Sequence, residues 1–209
     1  MASQATNLLI IFTKNSVLGK VKTRLASAIG DEDALRVHQV LAEETLQKVH
    51  HCNCDKVVYL SDEIDSNTII SAHGFRQEVQ WGSDLGERMR HAFAKEFEKG
   101  YTSIVIIGTD CPEMDDTSIS LAFKLLEDKD VVLGPADDGG YYLLGLSTMH
   151  NELFDDIAWS TSTVFQSTVD RVNQLSLSLG LTAKKQDIDT LDDLKKSAFG
   201  KVYFPWLIG

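Results

Sequence analysis

Lys14, Lys20, Lys22 and Arg24 crowd one short stretch of a chain whose formal net charge is -11. Gly19 stands among them, and its missing side chain lets backbone approach a ligand closely. The stretch leads from an apolar run into a helical pattern. A loop entering a helix offers free N–H groups and a dipole that favours anions, so four cations there read as a phosphate cradle. The spacing is not that of a P-loop, because no glycine stands five residues before Gly19, and the G-x-G-x-x-G dinucleotide fingerprint is also missing. The plain alternative is a solvated basic helix start, since Lys and Arg usually lie on surfaces.

The other candidates are acidic. Asp110, in Gly108-Thr109-Asp110-Cys111-Pro112, follows the most apolar strand pattern in the chain. A carboxylate there can hold Mg2+ or Mn2+, which uses one or two protein carboxylates and takes its other ligands from phosphate and water. Capping of the next turn is the ordinary use of an Asp in such a place. Asp137, Asp138, Gly139 and Gly140 make a turn ahead of Tyr141 and Tyr142. A hairpin needs Asp-Gly chemistry. Two carboxylates, two glycines and two tyrosines exceed that need and would suit a sugar ring with its hydroxyls. Asp187 and Asp189 form a weaker pair, explained equally by acidic residues near a helix start. The run His50-His51-Cys52-Asn53-Cys54 lacks zinc-site spacing and a second ligand pair, and reads as a helix end.

These residues need a frame. Asn7 to Phe12 and Ser103 to Gly108 are continuous apolar runs, as in strands buried on both faces of a parallel sheet. Lys56 to Leu60 is a second strand, and Gln77 to Gln80 a weaker third. A helix begins at Asp31, with Ala34, Val37, Leu41, Thr45 and Val49 along one face. Asp84 starts another, with Leu85, Met89, Phe93 and Phe97 as its apolar stripe. A helix with Leu121, Ala122 and Leu125 inward follows the central strand. Asp130 to Leu133 and Tyr141 to Leu146 are strands joined by a turn at Pro135 to Gly140, and a long helix covers Ser162 to Leu179. Thr190 and Asp193 match a capping box for a last helix, with Asp where Glu is commoner. Strands alternating with helices give a mostly parallel α/β sheet, whose ligands bind outside the carboxyl ends of the strands.

Composition narrows the function. The 209 residues, 43% hydrophobic with three prolines and no repeat, read as a single domain over 1–209. The acidic balance disfavours nucleic acid and anionic membrane surfaces as partners. No apolar stretch approaches the roughly 18 residues that would span a bilayer. The start, Met1 to Asn7, lacks the regions of a signal peptide, and three cysteines give no disulfide framework, so the chain reads as cytoplasmic. The apolar tail Val202 to Ile208 either closes the core or pairs subunits in a homo-oligomer.

Six ordered stretches carry a family resemblance: FTKNSVLGKVKTRL (12–25), DLGERM (84–89), GTDCP (108–112), VLGPADDGGYY (132–142), WSTSTV (159–164) and DIDTLDDL (187–194). Over nearly its whole length the chain resembles bacterial proteins long filed as a domain of unknown function and assigned to GT-A glycosyltransferases, some of them called arsenosugar-biosynthesis glycosyltransferases. The resemblance implies a nucleotide-diphospho-sugar transferase fold, a three-layer α/β/α sandwich. It implies that the first loop, with Thr13, Lys14, Gly19, Lys22 and Arg24, holds nucleotide and phosphates, and that Asp110 binds the metal. It makes Asp189 the counterpart of a second metal ligand in related nucleotidyltransferases. Asp84, Asp137, Gly139, Gly140 and Tyr141 would meet nucleotide, sugar or acceptor. This chain departs from the family in carrying Ser16 and Leu18 where prolines are frequent, and one carboxylate in GTDCP where many glycosyltransferases have Asp-x-Asp.

The resulting expectation is a Mg2+- or Mn2+-dependent glycosyltransferase with a nucleotide-diphospho-sugar donor and a small-molecule acceptor. Asp110 and Lys22 would act on the leaving group, and Asp138 would be the acceptor base. The alternatives are a nucleotidyltransferase joining a nucleoside triphosphate to a phosphorylated acceptor, and a nucleotide-binding protein without catalysis.

Overall fold

Strands that are apolar at every position need cover on both faces. The computed structural model describes residues 6–64 and 73–208, and the opening residues of the signal-peptide reading, 1–5, lie outside them. Strand β1 (Asn7–Thr13) sits between β2 (Asp55–Leu60) and β4 (Ser103–Gly108), parallel to both, and β3 (Arg76–Val79) extends the parallel set beyond β2. On the other side β6 (Tyr141–Leu146) runs antiparallel between β4 and β5 (Val131–Pro135), and β7 (Leu179–Leu181) closes the edge parallel to β5. The order of the seven-stranded sheet is β3-β2-β1-β4-β6-β5-β7.

Alternate side chains of the central strands enter opposite layers. Leu9, Ile11, Val105 and Ile107 pack with Leu46 and Val49 of α2 (Asp31–Val49) and with Ile119, Ala122 and Phe123 of α4 (Asp116–Leu125). Leu8, Ile10, Ile104 and Ile106 pack with Met89, Ala92 and Phe93 of α3 (Leu85–Glu98) and with Val172 of α5 (Val164–Gln174). The result is the expected α/β/α sandwich with a mostly parallel sheet. Among the described residues no helix is long and apolar enough to cross a membrane.

A third, smaller cluster joins Leu25 of α1 (Thr23–Ile29) and Val37 and Leu41 of α2 to Ile188, Leu194, Phe199 and Phe204. Three short helices carry the chain end there: α6 (Leu191–Lys196), α7 (Ala198–Tyr203) and α8 (Pro205–Ile208). The apolar tail thus buries Phe204 in this cluster, while Val202 and Trp206 stay exposed. By tying Ile188 to Leu25, the cluster sets the C-terminal acidic segment against the first loop.

Three expectations need correction. The long helix ends at Gln174, not Leu179, because Leu175 to Leu181 alternates leucine with Ser or Gly and turns into β7 after Ser176, whose φ is 57°. Leu121 is exposed: the Asp115 cap sets the phase of α4, and Ile119, Ala122 and Phe123 take its inward face. Leu85 is also exposed, as the first residue of α3, and only the later part of that stripe reaches the core.

One buried charge offers a stability test. Glu96 is fully buried and accepts hydrogen bonds from Tyr59 Oη at 2.7 Å, Arg76 Nη2 at 2.7 Å and Lys99 Nζ at 3.0 Å. Burial alone would raise its pKa, but these donors outweigh it and hold the carboxyl below its usual value. Its contribution is therefore complete above the unfolded-state pKa of about 4.3 and is lost as pH falls through the lower folded value. Glu96→Ala is expected to cost roughly 3 kcal/mol at pH 7. Urea unfolding between pH 3 and pH 7 checks this, and the mutant should show less of the acid-side loss.

Candidate active site

Chain order reverses between β1 and β4: β2 and β3 lie to one side, and β6, β5 and β7 to the other. The carboxyl ends of β1 and β4 therefore flank the switch point at which such sheets take ligands. Thr13 and Thr109, both buried, join these ends through hydroxyls 3.1 Å apart. Asn15, also buried, accepts from Asp62 N at 2.9 Å and donates to the Glu63 carbonyl at 2.9 Å, pinning the loop after β1 to the loop after β2.

Lys22 is the centre of the site. It caps α1 with φ 46° and ψ 43°, a left-handed conformation uncommon for a residue with a side chain. Its side chain is only 4% exposed, with Nζ 2.7 Å from Asp110 Oδ1 and 3.1 Å from Asp189 Oδ1. Nζ also donates to the Ile188 carbonyl. Burial would lower the pKa of Lys22, yet the charges of Asp110 and Asp189 outweigh it and raise it. Burial would raise that of Asp110, and the neighbouring ammonium holds it down instead. A backbone bond from Ile188 N to the Asp110 carbonyl, 2.9 Å, fixes the two acidic segments together.

The capping work near α6 falls to Thr190 and Asp193, which form a complete capping box, so Asp187 and Asp189 are left for the site. Asp187 Oδ1 is buried without a hydrogen-bond partner among the described residues. Burial first, then the charges of Asp110 and Asp138, push its pKa up to about 7. Lys14, Lys20 and Arg24 are exposed and form no salt bridge among the described residues. The first loop therefore holds one buried, paired cation and three free ones. Because α1 has seven residues, this charge rests on side chains more than on a helix dipole. Gly19, with φ 74°, supplies the turn between them.

The remaining candidates serve the turn and the walls. Asp138 Oδ1 accepts from Gly140 N at 2.8 Å, and Asp137 forms an exposed 2.7 Å pair with Lys184. Gly139, at φ 90°, lies so close to the Ser162 carbonyl that a Cβ would come within 2.0 Å of its oxygen. Tyr141 packs against the core layer of Phe93 and Phe154, and the Tyr142 hydroxyl is held by Thr182 and Ala183. Asp84 caps α3 by accepting from Glu87 N at 2.8 Å, and lines a cavity of about 210 Å³ with Arg90, Phe154 and Trp159. Gly86 lies against the Trp159 ring, which a Cβ would meet at 2.1 Å.

The middle of the chain decides the relationship to other proteins. The pattern of a family described as "uncharacterized protein conserved in bacteria (DUF2064)" matches residues 45–161. The chain belongs to this family. No curated protein matches it. Among solved structures, the DUF2064 chain is similar to a protein of Desulfovibrio desulfuricans G20 provisionally called a nucleotide-diphospho-sugar transferase. The two are 29% identical with a TM-score of 0.86, over 98% of this chain and 94% of the other. Glucosyl-3-phosphoglycerate synthase from Mycobacterium tuberculosis, solved with Mn2+, UDP and glucosyl-3-phosphoglycerate, shares the fold. It is 13% identical with a TM-score of 0.58, over 94% and 76% of the two chains. A cytidylyltransferase from Leptospira borgpetersenii shares it too, at 15% identity and a TM-score of 0.58, over 92% and 84%.

Two further residues of this DUF2064 chain hold the first loop without a clear sequence signal. Asn15 sits among the cations, with no spacing that singles it out. His38 is buried in α2, its Nε2 3.1 Å from the Lys14 carbonyl, and burial lowers its pKa, so the neutral ring donates to that carbonyl and steadies the first loop. The available signal was a polar residue on the apolar face shared by Ala34, Val37 and Leu41.

Proposed function

We propose that this protein is a metal-dependent glycosyltransferase, which takes a nucleotide-diphospho-sugar donor and passes the sugar to a small-molecule acceptor. The observation that carries the reading is the convergence of Asp110 and Asp189 on one cation position, 2.7 and 3.1 Å from Lys22 Nζ, beside Lys14, Lys20 and Arg24, which form no salt bridge among the described residues. Their donors are hard carboxylate oxygens, a pair that fits Mg2+ or Mn2+ with the remaining ligands from phosphate and water, and Asp187 Oδ1 is buried without a hydrogen-bond partner among the described residues. When bound there, the ion would neutralise charge developing on the diphosphate leaving group. Lys14, Lys22 and Arg24 would hold the phosphates, with His38 and Asn15 keeping their loop in place. Asp138, exposed on its turn, would accept the acceptor's proton, while Asp137 is engaged by Lys184. The free thiols of Cys52, Cys54 and Cys111 suit the cytoplasm, where thiols are kept reduced.

One observation favours a second reading. The second carboxylate comes from the Asp189-Thr190 segment, as in related nucleotidyltransferases, and four cations in one loop suit a triphosphate. The two readings differ in product. Incubation with Mn2+ and panels of nucleotide-sugars or nucleoside triphosphates, each with candidate acceptors, should release a nucleoside diphosphate under the first reading. Pyrophosphate would support the second. Metal-dependent nucleotide binding without either product would leave a binding protein.

A further inference from the structure

Lys22 is held by more partners than a phosphate ligand can spare. An ammonium has three N–H donors, and here Asp110, Asp189 and the Ile188 carbonyl take all three. Its side chain is 4% exposed. In this state Lys22 has nothing left to offer a phosphate. A Mg2+ or Mn2+ ion bound to the same two carboxylates would lie about 2.1 Å from their oxygens and would overlap the ammonium. The two cations exclude each other.

We propose that Lys22 is a place-holder for the divalent cation. In the nucleotide-free protein it closes the Asp110–Asp189 pair, and the metal enters as Lys22 leaves that pair for the phosphates. The inference rests on the metal site of the proposed function. The charges around Lys22 support it: Asp110 and Asp189 share one ammonium, and Asp187, within reach of the charges of both, keeps Oδ1 without a partner among the described residues. A divalent ion in place of the ammonium balances this set better. The backbone also allows the exchange. Lys22 sits at φ 46°, a conformation that costs energy and is relieved when the residue leaves it, and Gly19 at φ 74° has no side chain to hinder a change of the loop. The consequence is ordered binding: free metal binds weakly, and metal with a phosphorylated ligand binds tightly. A carboxylate pair that captured metal unaided would have no such order.

Mn2+ binding measured by electron paramagnetic resonance, without nucleotide, tests this. Lys22→Met keeps the apolar stem and removes the ammonium. It is expected to bind Mn2+ at least tenfold more tightly than the wild type, and Asp110→Asn in the Lys22→Met background should abolish the gain. Equal Mn2+ affinity in Lys22→Met and wild type, with binding still dependent on Asp110, would overturn the place-holder while leaving the metal site standing. A gain that survives Asp110→Asn, or no Mn2+ binding by either protein, would overturn both. A second measurement needs no mutant. Amine labelling of Lys22, read by mass spectrometry, should be slow in the metal-free protein and rise several-fold at saturating Mn2+. Unchanged labelling would refute the exchange.

Discussion

Asp110→Asn is expected to reduce metal-dependent turnover by about 10³-fold, a barrier increase of about 4 kcal/mol, with little change in stability. Asparagine keeps the shape but not the charge, and a neutral amide oxygen is a poor substitute in the proposed two-carboxylate metal site. The fold should tolerate the change for two reasons. The Asp110 side chain is 48% exposed, and Lys22 keeps Asp189 and the Ile188 carbonyl as partners. The Ile188 N bond goes to the Asp110 backbone, which the substitution leaves alone. Steady-state assay with Mn2+ beside a thermal melt separates the two effects. Near-normal turnover in a folded mutant would remove Asp110 from the metal site.

The second large effect is structural. Gly139→Ala is expected to cost roughly 3–5 kcal/mol, from strain at a positive φ added to overpacking. The new Cβ would meet the Ser162 carbonyl oxygen at 2.0 Å, and a backbone atom there cannot swing aside as a side chain would. The Gly139 carbonyl also receives Phe165 N at 2.9 Å, so the clash pushes apart the acidic turn and the start of α5. Gly140→Ala is the control. Its φ is not positive, and its nearest neighbour is the Asp138 carboxylate at 3.2 Å, which can rotate. Denaturant unfolding of the pair should show a large loss at Gly139 and a small one at Gly140. Equal losses would contradict the close approach.

The central strands were legible because burial on both faces leaves no polar position to confuse the period. The capping box at Thr190 was legible down to its unusual Asp193, since cap chemistry is local. Other features follow from relations that spacing does not carry. Leu175 to Leu181 alternates as a strand should, yet it followed a helical pattern with only Ser176 to mark the turn. Leu121 faces outward because the Asp115 cap sets the helical phase, and the apolar count alone does not. In the first loop, four cations were visible, and the resemblance singled out Lys22, but spacing alone does not say which of them is buried. What separates Lys22 from Lys14, Lys20 and Arg24 is its left-handed backbone and the Leu25–Ile188 packing that brings Asp189 to it. The Asp110–Asp189 pairing came through family resemblance, because no local pattern links residues so far apart in the chain. Asp187 looked like a capping acid, and only its burial beside two other carboxylates marks it as part of the site.

Asp110, Asp189 and the first-loop cations are proposed to form one metal-dependent site for nucleotide phosphates. Titration calorimetry with nucleoside diphosphates, in Mn2+ and again in EDTA, tests it most directly. Binding of at least one diphosphate is expected in Mn2+, weakened tenfold or more in EDTA and lost in Asp110→Asn. Equal affinity with and without metal, unaffected by Asp110→Asn, would contradict it.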